Sequence, residues 1–290
     1  MRATPVLFSF VLSLILLSCN VEPEPQVETI QGVPDGFNAV WLNDAYLAEL
    51  RATRSPMTAL NAADNDKVAI TLRRDGDVLV RSILYRFNDR RVDTFNVADL
   101  SVMHGPLSGD GSLDHAVTQL AGQVEPQMNG KDVQLDWLKV NNGEFLLLNN
   151  AQGERKLLWR QVSDSTIVEA VAYSPIEGGT GENDYAIDNF VSGMILEGTF
   201  TDESGSQTIF TAEGDVAWDG QGRYYAMLLG DLITDCDVLI LSDDPSGAAP
   251  HEFYGFKRNE HSLDLYVAML DSNNRIVCTQ DFVKTLTLQQ

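Results

Sequence analysis

Short apolar segments that alternate with polar residues, separated by turn-forming pairs, recur along most of this chain. Val68, Ile70 and Leu72 point to one face of such a segment, and Asp75-Gly76 marks a tight turn before the next segment begins at Val78. A period of two is the pattern of a half-buried strand, and Asp-Gly between two such runs is typical of a hairpin. Because hairpins join antiparallel neighbours, the pattern predicts an antiparallel meander.

The chain is therefore predicted to be mainly β, a meander that forms a barrel or a sandwich, with a few short helices. Asn43 or Asp44 is the expected cap of one helix, and Asp114–Ala121 is expected to form another. The segment 101–111 contains Gly105-Pro106 and is expected to be a loop.

Composition shifts divide the chain into two tandem β-rich domains. Residues 174–183 read SPIEGGTGEN and form the clearest internal boundary. We predict an N-terminal β-rich domain at 36–173, a linker at 174–183 and a barrel-like domain at 184–290. Residues 20–35 contain three prolines and four acids, so 19–35 is predicted to be a disordered acidic tether.

The second domain opens with Gly198-Thr199-Phe200 on its first strand. This arrangement is similar to lipocalin-like β-barrels, whose members usually carry Gly-x-Trp at that place, whereas this chain has phenylalanine. The resemblance implies a barrel for the C-terminal half.

The N-terminus is predicted to carry an export signal. Arg2 is followed by an apolar run from Val6 to Leu17, which is too short for a permanent membrane span and is typical of a secretory signal peptide, here 1–18. The run ends in Leu16-Leu17-Ser18-Cys19, which resembles the lipobox of bacterial lipoproteins, although Leu17 stands where a smaller residue is more usual. Ordinary secretion with cleavage elsewhere is the alternative.

The lipobox resemblance implies cleavage before Cys19, with a diacylglycerol on its sulfur and palmitate or a similar chain on the new N-terminus. Several acyl chains hold a protein stably on a bilayer, whereas one does not. The next residue is Asn20, not the aspartate typical of retention at the inner membrane. The resemblance thus favours an outer-membrane anchor, with the body on the periplasmic or the surface face.

The charge of the chain excludes some partners. The whole chain carries a net charge of −22, and from Gln161 to Gln290 there are 5 basic and 22 acidic residues. Such a field repels nucleic acid and anionic headgroups, so neither is expected to be a partner. A cationic partner, divalent ions or simple solubility in salt remain open.

Cysteine usage agrees with export. If Cys19 is acylated, Cys236 and Cys278 remain as an even pair, for which a disulfide is the expectation in an oxidising compartment. A catalytic thiol is the alternative, but Asp235 and Asp237 flank Cys236 and should raise its pKa.

The sequence contains no catalytic or metal-binding motif. His104, His115, His251 and His261 lack metal-ligand spacing, and a Gly-x-Ser-x-Gly motif is absent. The stretch 110–114 resembles the start of a calcium loop, but His115 stands where such a loop needs glycine. We therefore expect no cofactor, no metal and no catalytic residue.

Eight arginines lie within 41 residues of this acidic chain, at positions 51, 54, 73, 74, 81, 86, 90 and 91. Strand alternation places Arg73 and Arg86 on one face of the predicted hairpin, and Arg74 and Arg81 on the other. Arg73 and Arg86 are a possible anion patch. The alternative is that the arginines face the acidic second half across an interface.

These observations favour a membrane-anchored lipoprotein that acts as a non-catalytic binding module. Its target is expected to be a partner protein, an envelope polymer or a small apolar ligand. An envelope assembly or structural factor that acts through its sheet edges is one alternative. A hydrolase with a site dispersed across loops is another.

Overall fold

The structure, a computed structural model, describes residues 26–63, 67–85, 89–141, 143–176, 186–229, 236–245 and 251–289. The elements of the first part are β1 (Glu28–Gln31), β2 (Ala39–Asn43), α1 (Asp44–Thr53), α2 (Pro56–Ala62), β3 (Lys67–Asp75), β4 (Val78–Tyr85), β5 (Asp89–Asn96), β6 (Ser101–Leu107), α3 (Leu113–Gly122), β7 (Val133–Val140), β8 (Gly143–Asn150), β9 (Arg155–Ser163) and β10 (Thr166–Pro175). Short 3-10 turns lie at Asp35–Phe37 and Val97–Asp99.

The second part consists of α4 (Ala186–Leu196), β11 (Gly198–Thr201), β12 (Gln207–Phe210), β13 (Asp215–Trp218), β14 (Gln221–Leu228), β15 (Asp237–Ser242), β16 (His251–Arg258), β17 (Ser262–Leu270) and β18 (Ile276–Leu288). These strands pair in chain order and close into a barrel, in which Phe200 of β11 pairs with Leu288 of β18. The strands of the first part form one antiparallel half-barrel sheet in the order β1-β6-β7-β8-β9-β10-β2-β3-β4-β5. The predicted mainly β, antiparallel fold is confirmed.

Local sequence explains where the first two helices begin and end. The side chain of Asn43 accepts hydrogen bonds from the backbone N–H groups of Ala45 and Tyr46, at 2.8 and 3.2 Å, and so caps α1. Helix α1 ends where Arg54 adopts the left-handed conformation, with φ of 56°. Ser55 then caps α2, whose first residue is Pro56, a favoured position for proline.

The two parts of the chain share a hydrophobic cluster. Strand β2 is buried on both faces: Trp41 packs into one hydrophobic cluster, while Val40 and Leu42 pack into another on the opposite side of the sheet. On that second side lie α1, α4 and the interior of the barrel. Helix α3 covers another region of the sheet, where Leu113 and Leu120 pack on β7, β8 and β9.

Two predicted boundaries differ from the structure. The predicted tether contains β1, which pairs with β6 at the edge of the sheet because Ile30, opposite Val102, packs against the hydrophobic core of the sheet. The predicted linker begins inside β10, and the N–H of Ile176 still donates to the carbonyl of Val40. Residues 177–183 of the linker and 19–25 of the tether lie outside the described residues.

The predicted loop at 101–111 is also wrong in part, because residues 101–107 form β6. Proline usually argues against a central strand, since it cannot donate a backbone hydrogen bond. Strand β1, however, pairs only with Ser101–His104, so Pro106 lies beyond the stretch that β1 covers. Among the helices that the structure describes, none is long and apolar enough to cross a bilayer.

Candidate functional site

A cleft of about 520 Å³ lies between the two parts of the chain. Its walls are the turn between α1 and α2, the start of β15, the end of β16 and the distal half of the β17–β18 hairpin. The lining combines apolar, hydroxyl and charged side chains, among them Thr53, Ser55, Met57, Thr58, Asp237, Phe256, Lys257, Arg258, Tyr266, Thr279 and Gln280. Clefts between packed units are common ligand sites in proteins.

A disulfide joins Cys236 and Cys278 in the wall of this cleft, with Cα atoms 6.2 Å apart. The predicted pair is therefore confirmed. Cys236 immediately precedes β15 and Cys278 lies in β18, although β16 and β17 separate these strands in the barrel. A Cβ atom on Gly255 of β16 would lie 2.4 Å from Cys278 Sγ, so the hairpin passes directly over β16. The disulfide thus holds the hairpin against the outer face of the barrel.

Asp237 connects the barrel to α2 at the back of the cleft. Its Oδ1 accepts a hydrogen bond from the backbone N–H of Met57 at 2.9 Å, and the residue is buried. Burial raises the pKa of Asp237, while hydrogen bonds from Ser55 and Met57 oppose that shift. A buried acid with a raised pKa in a cleft marks a candidate site. Here the carboxylate of Asp237 accepts the hydrogen bond from Met57 and so holds α2 against the barrel.

Two arginines near the cleft bind the C-terminal end of α4. Arg54 Nη1 donates to the carbonyl of Met194 at 2.7 Å, and Arg258 Nε donates to the carbonyl of Ile195 at 3.0 Å. The last carbonyls of a helix lack intrahelical partners and carry partial negative charge. Burial, together with the nearby charge of Arg54, lowers the pKa of Arg258. Both arginines therefore have structural partners and are not free anion receptors.

Asp188 lies in the first turn of the same helix, α4. Burial raises the pKa of its carboxyl from 3.8 to about 6, although the positive charge of Arg90 opposes the shift. Since the folded state holds this proton more tightly than the unfolded state, the contribution of Asp188 to stability is most favourable below pH 4. That contribution is lost as the pH rises through 6.

We expect Asp188→Asn to raise the free energy of unfolding by about 1–3 kcal/mol at pH 7.5, because the variant keeps no buried charge. At pH 4 the variant and the natural protein should differ little. Urea unfolding at both pH values measures this, with the exposed Glu203→Gln as the control. A gain of equal size at pH 4 and pH 7.5 would contradict the assignment.

The interior of the barrel is filled by side chains. Phe210 lies among Phe200, Trp218 and Tyr225, with ring centroids 5.7, 6.3 and 5.1 Å away in edge-to-face contacts. Fully buried leucines complete this layer at positions 239, 241, 263, 265 and 286. Among the described residues of the barrel, these side chains thus form a packed core, unlike the open cup of a barrel that carries a small ligand.

A second groove, of about 940 Å³, lies between α1, the start of α3 and the β8–β9 turn. Several polar side chains in this groove have partners: Lys156 contacts both Asp44 and Asp114, and Asn150 donates to Glu154 at 2.7 Å. The groove also contains the stretch 110–114. There the carboxylate of Asp110 accepts a hydrogen bond from the N–H of Ser112 and contacts His115. The hydrogen bond with His115, and then that with Ser112, lowers the pKa of Asp110.

The other sequence-predicted residues are placed as follows. Cys19 and Arg86 lie outside the described residues. Arg73 is 3.7 Å from Asp75 in a partly exposed ion pair. Leu72 pairs with Arg81 and Arg74 with Leu79, so Arg74 and Arg81 share one sheet face. The anion patch at Arg73 and Arg86 stays a prediction.

His104 and His115 each lie beside a carboxylate, but among the described residues neither has the nucleophile that a catalytic triad needs. His104 Nδ1 is 2.6 Å from Asp136, and His115 Nδ1 is 3.1 Å from Asp110. In the described parts of the chain, no hydroxyl or thiol side chain is hydrogen-bonded to either ring. Those parts also contain no group of three or more His, Cys, Asp or Glu side chains placed to hold a metal ion.

Sequence reasoning did not predict that Arg81 and Arg160 are buried, the two most buried arginines among the described residues. Arg160 is fully buried, and Arg81 pairs with Asp93 while its guanidinium carbon lies 5.2 Å from the ring centre of Trp159. Arg160 directly follows the apolar run Leu157–Trp159, which was the only sequence signal of its burial.

No protein-family model, curated protein or solved structure is significantly similar to this chain.

Proposed function

We propose that this chain is a lipoprotein of the bacterial envelope, anchored at the outer membrane through acylated Cys19, that acts as a non-catalytic binding module. The signal-like segment, the lipobox-like Leu16–Cys19 and the residue Asn20 support the anchor. The Cys236–Cys278 disulfide is in keeping with an oxidising compartment.

The packed interior of the barrel is the observation that best indicates which kind of molecule the protein binds. A barrel filled by Phe200, Phe210, Trp218 and Tyr225 leaves its surface as the place for recognition. The cleft beside the disulfide offers mixed apolar and polar groups on that surface. This arrangement favours a macromolecular partner, a protein or an envelope polymer, over a small apolar ligand held inside the barrel.

One observation supports a second candidate, an envelope assembly factor that recruits extended segments. Strand β5 lies at the end of the ten-stranded sheet and is eight residues long. Its Val92 is 57% exposed, and an open edge of this kind can accept a further strand. Deletion of the gene should then change the levels of outer-membrane proteins, whereas the binding-module function does not require such a change.

Cell fractionation tests the anchor. The natural protein is expected in the outer-membrane fraction, and Cys19→Ser in the soluble periplasmic fraction, because the variant has no sulfur to acylate. The double variant Cys236→Ser/Cys278→Ser is the matched control and should stay with the membrane. Equal partitioning of Cys19→Ser and the natural protein would argue against a lipid anchor at this position.

A further inference from the structure

The cleft beside the disulfide contains a lysine whose charge is not neutralised. Lys257 of β16 is exposed and lines the cleft. Side chains two residues apart on a strand lie on the same face, so Lys257 shares a face of β16 with Gly255, over which Cys278 passes. Among the described residues, no carboxylate forms an ion pair with Lys257. Asp264, which pairs with Lys257 in the strand register, accepts a hydrogen bond from Thr285 at 2.6 Å instead.

Two arginines at the cleft add further positive charge. Arg54 and Arg258 each donate to backbone carbonyls, and neither forms an ion pair with a carboxylate in the described parts of the chain. A carbonyl carries only partial charge, so it does not cancel a guanidinium. Asp237 is the only acid among the described lining residues, and its carboxylate already accepts hydrogen bonds from Met57 and Ser55.

The cleft therefore differs in charge from the rest of the barrel. Residues 198–290 contain five basic residues. Three of them bind carboxylates, namely Arg223, Arg275 and Lys284. The two bases without a carboxylate partner among the described residues, Lys257 and Arg258, both line the cleft. Since charges more than about 8 Å away are largely screened at physiological salt, this local excess can attract an anion to a chain whose net charge is −22.

The rest of the lining suits the organic part of such an anion. Met57 and Tyr266 line the cleft and are half-buried, so each exposes apolar surface. The hydroxyl group of Thr58 adds a polar contact in the same lining. A volume of about 520 Å³ lies within the range of roughly 300–1,000 Å³ that ligand pockets occupy. The disulfide fixes one wall, and a preformed site loses less entropy when a ligand binds.

We propose that the cleft binds a small organic anion, whose charged group contacts Lys257 and whose apolar ring or chain packs against Met57 and Tyr266. The ammonium group of Lys257 has three donors for a carboxylate, sulfonate or phosphate. Arg54 and Arg258 attract the anion through their charge, while their hydrogen bonds to carbonyls hold α4. The inference goes beyond the proposed function, because it needs neither the lipid anchor nor a macromolecular partner.

Fluorescence titration with anilinonaphthalene sulfonate tests the proposal, because this probe joins aromatic rings to one sulfonate. Uncharged phenylnaphthylamine has the same ring system without the sulfonate and is the comparison probe. The protein is the whole mature chain with Cys19→Ser, at physiological salt, so the outcome does not depend on the anchor. We expect Lys257→Gln to weaken binding of the sulfonate probe about 10-fold and that of the uncharged probe less than about twofold, since only the sulfonate loses a charged partner.

Lys139→Gln is the matched control. It removes the same charge from β7 of the other sheet, where the Lys139 side chain is 61% exposed. This variant should leave the affinity for both probes unchanged within about twofold. Circular dichroism and the melting temperature show whether both variants are folded.

Three results would overturn the proposal. The first is that the sulfonate probe does not bind the natural protein. The second is that Lys257→Gln weakens both probes equally or neither of them. The third is that Lys139→Gln weakens the sulfonate probe as much as Lys257→Gln, because the attraction would then come from overall charge and not from the cleft.

Competition between two carboxylates tests the apolar part of the proposal. Octanoate and acetate carry the same charge, but octanoate has a chain that can pack against Met57 and Tyr266. We expect octanoate to displace the sulfonate probe at a concentration at least about 10-fold lower than acetate, because each buried methylene contributes about 0.8 kcal/mol. Equal displacement by the two anions would contradict an organic ligand.

Discussion

Replacing Arg160 with lysine is expected to lower the free energy of unfolding by about 3–5 kcal/mol. Arg160 is fully buried, and its guanidinium group makes four hydrogen bonds and one ion pair. Nε donates to Glu144 Oε2 at 2.8 Å, Nη1 donates to the carbonyls of Leu120 and Gln123, and Nη2 donates to the carbonyl of Val124 and lies 2.7 Å from Glu144 Oε2. All three nitrogens of the guanidinium group therefore have partners.

These contacts attach the end of α3 to the sheet. The last carbonyls of a helix need donors from outside the helix, and α3 ends without a glycine cap, at Gly122 followed by Gln123. Glu144 lies directly opposite Arg160 on the neighbouring strand. Lysine has three donors on one atom and does not reach this spread of acceptors, so the Glu144 carboxylate and some of the carbonyls would be buried without partners.

Urea unfolding measures the loss, with Arg74→Lys as the control. Arg74 is exposed and donates only to the carbonyl of Gly76 among its described contacts, so its replacement should change stability by less than about 0.5 kcal/mol. If Arg160→Lys were as mild as Arg74→Lys, the hydrogen-bond network described for α3 would be wrong.

The double variant Cys236→Ser/Cys278→Ser is expected to lose about 4 kcal/mol, because the disulfide closes a loop of 42 residues and restricts the unfolded chain. Beyond this loss, the hairpin over Gly255 would no longer be fixed, so the wall of the cleft should loosen. Faster amide hydrogen exchange at the distal end of β17 and β18 is the expected signature.

Reduction of the natural protein provides the control for that variant. A reductant should lower the urea midpoint of the natural protein to that of the double variant and leave the double variant unchanged. If the midpoints of the oxidised protein and the double variant coincide, the disulfide does not constrain the fold as described.

Most of the local structure could be predicted from the sequence, because short-range patterns determine it. Alternation around Asp75-Gly76 predicts the β3–β4 hairpin, in which Asp75 pairs with Val78 across Gly76, a residue with φ of 57°. Asn43 was one of the two expected caps of α1, and the structure confirms it. Helix α1 ends at Thr53 with Arg54 as its cap, and the adjacent pair Ser55-Pro56 begins α2.

The elements that sequence reasoning missed depend on neighbours far along the chain. Strand β1 gains its partner only from β6, more than 70 residues later. Strand β6 was not predicted because Gly105-Pro106 is typical of a loop. The strand tolerates this pair because β1 pairs only with Ser101–His104, so no hydrogen bond to β1 is needed at Pro106. The role of Arg160 was missed for the same reason: nothing near Arg160 in sequence reveals that the end of α3 lies against it.

The cleft could be predicted only in part. Cysteine arithmetic identified Cys236 and Cys278, but not that the hairpin folds over Gly255 or that the two parts of the chain meet there. The shared cluster around α4 is also invisible to pattern analysis, because each half was interpreted as a domain with its own core. Burial on both faces removes the alternation by which a strand is recognised, as in β2.

The intact mass of the mature protein, purified from cell membranes, is the most direct test of the account. We expect a chain that begins at Cys19 and carries the added mass of a diacylglycerol on the sulfur and a further acyl chain on the amino group. A free thiol at position 19, or a mature chain that begins at another residue, would contradict the lipid anchor on which the proposed function rests.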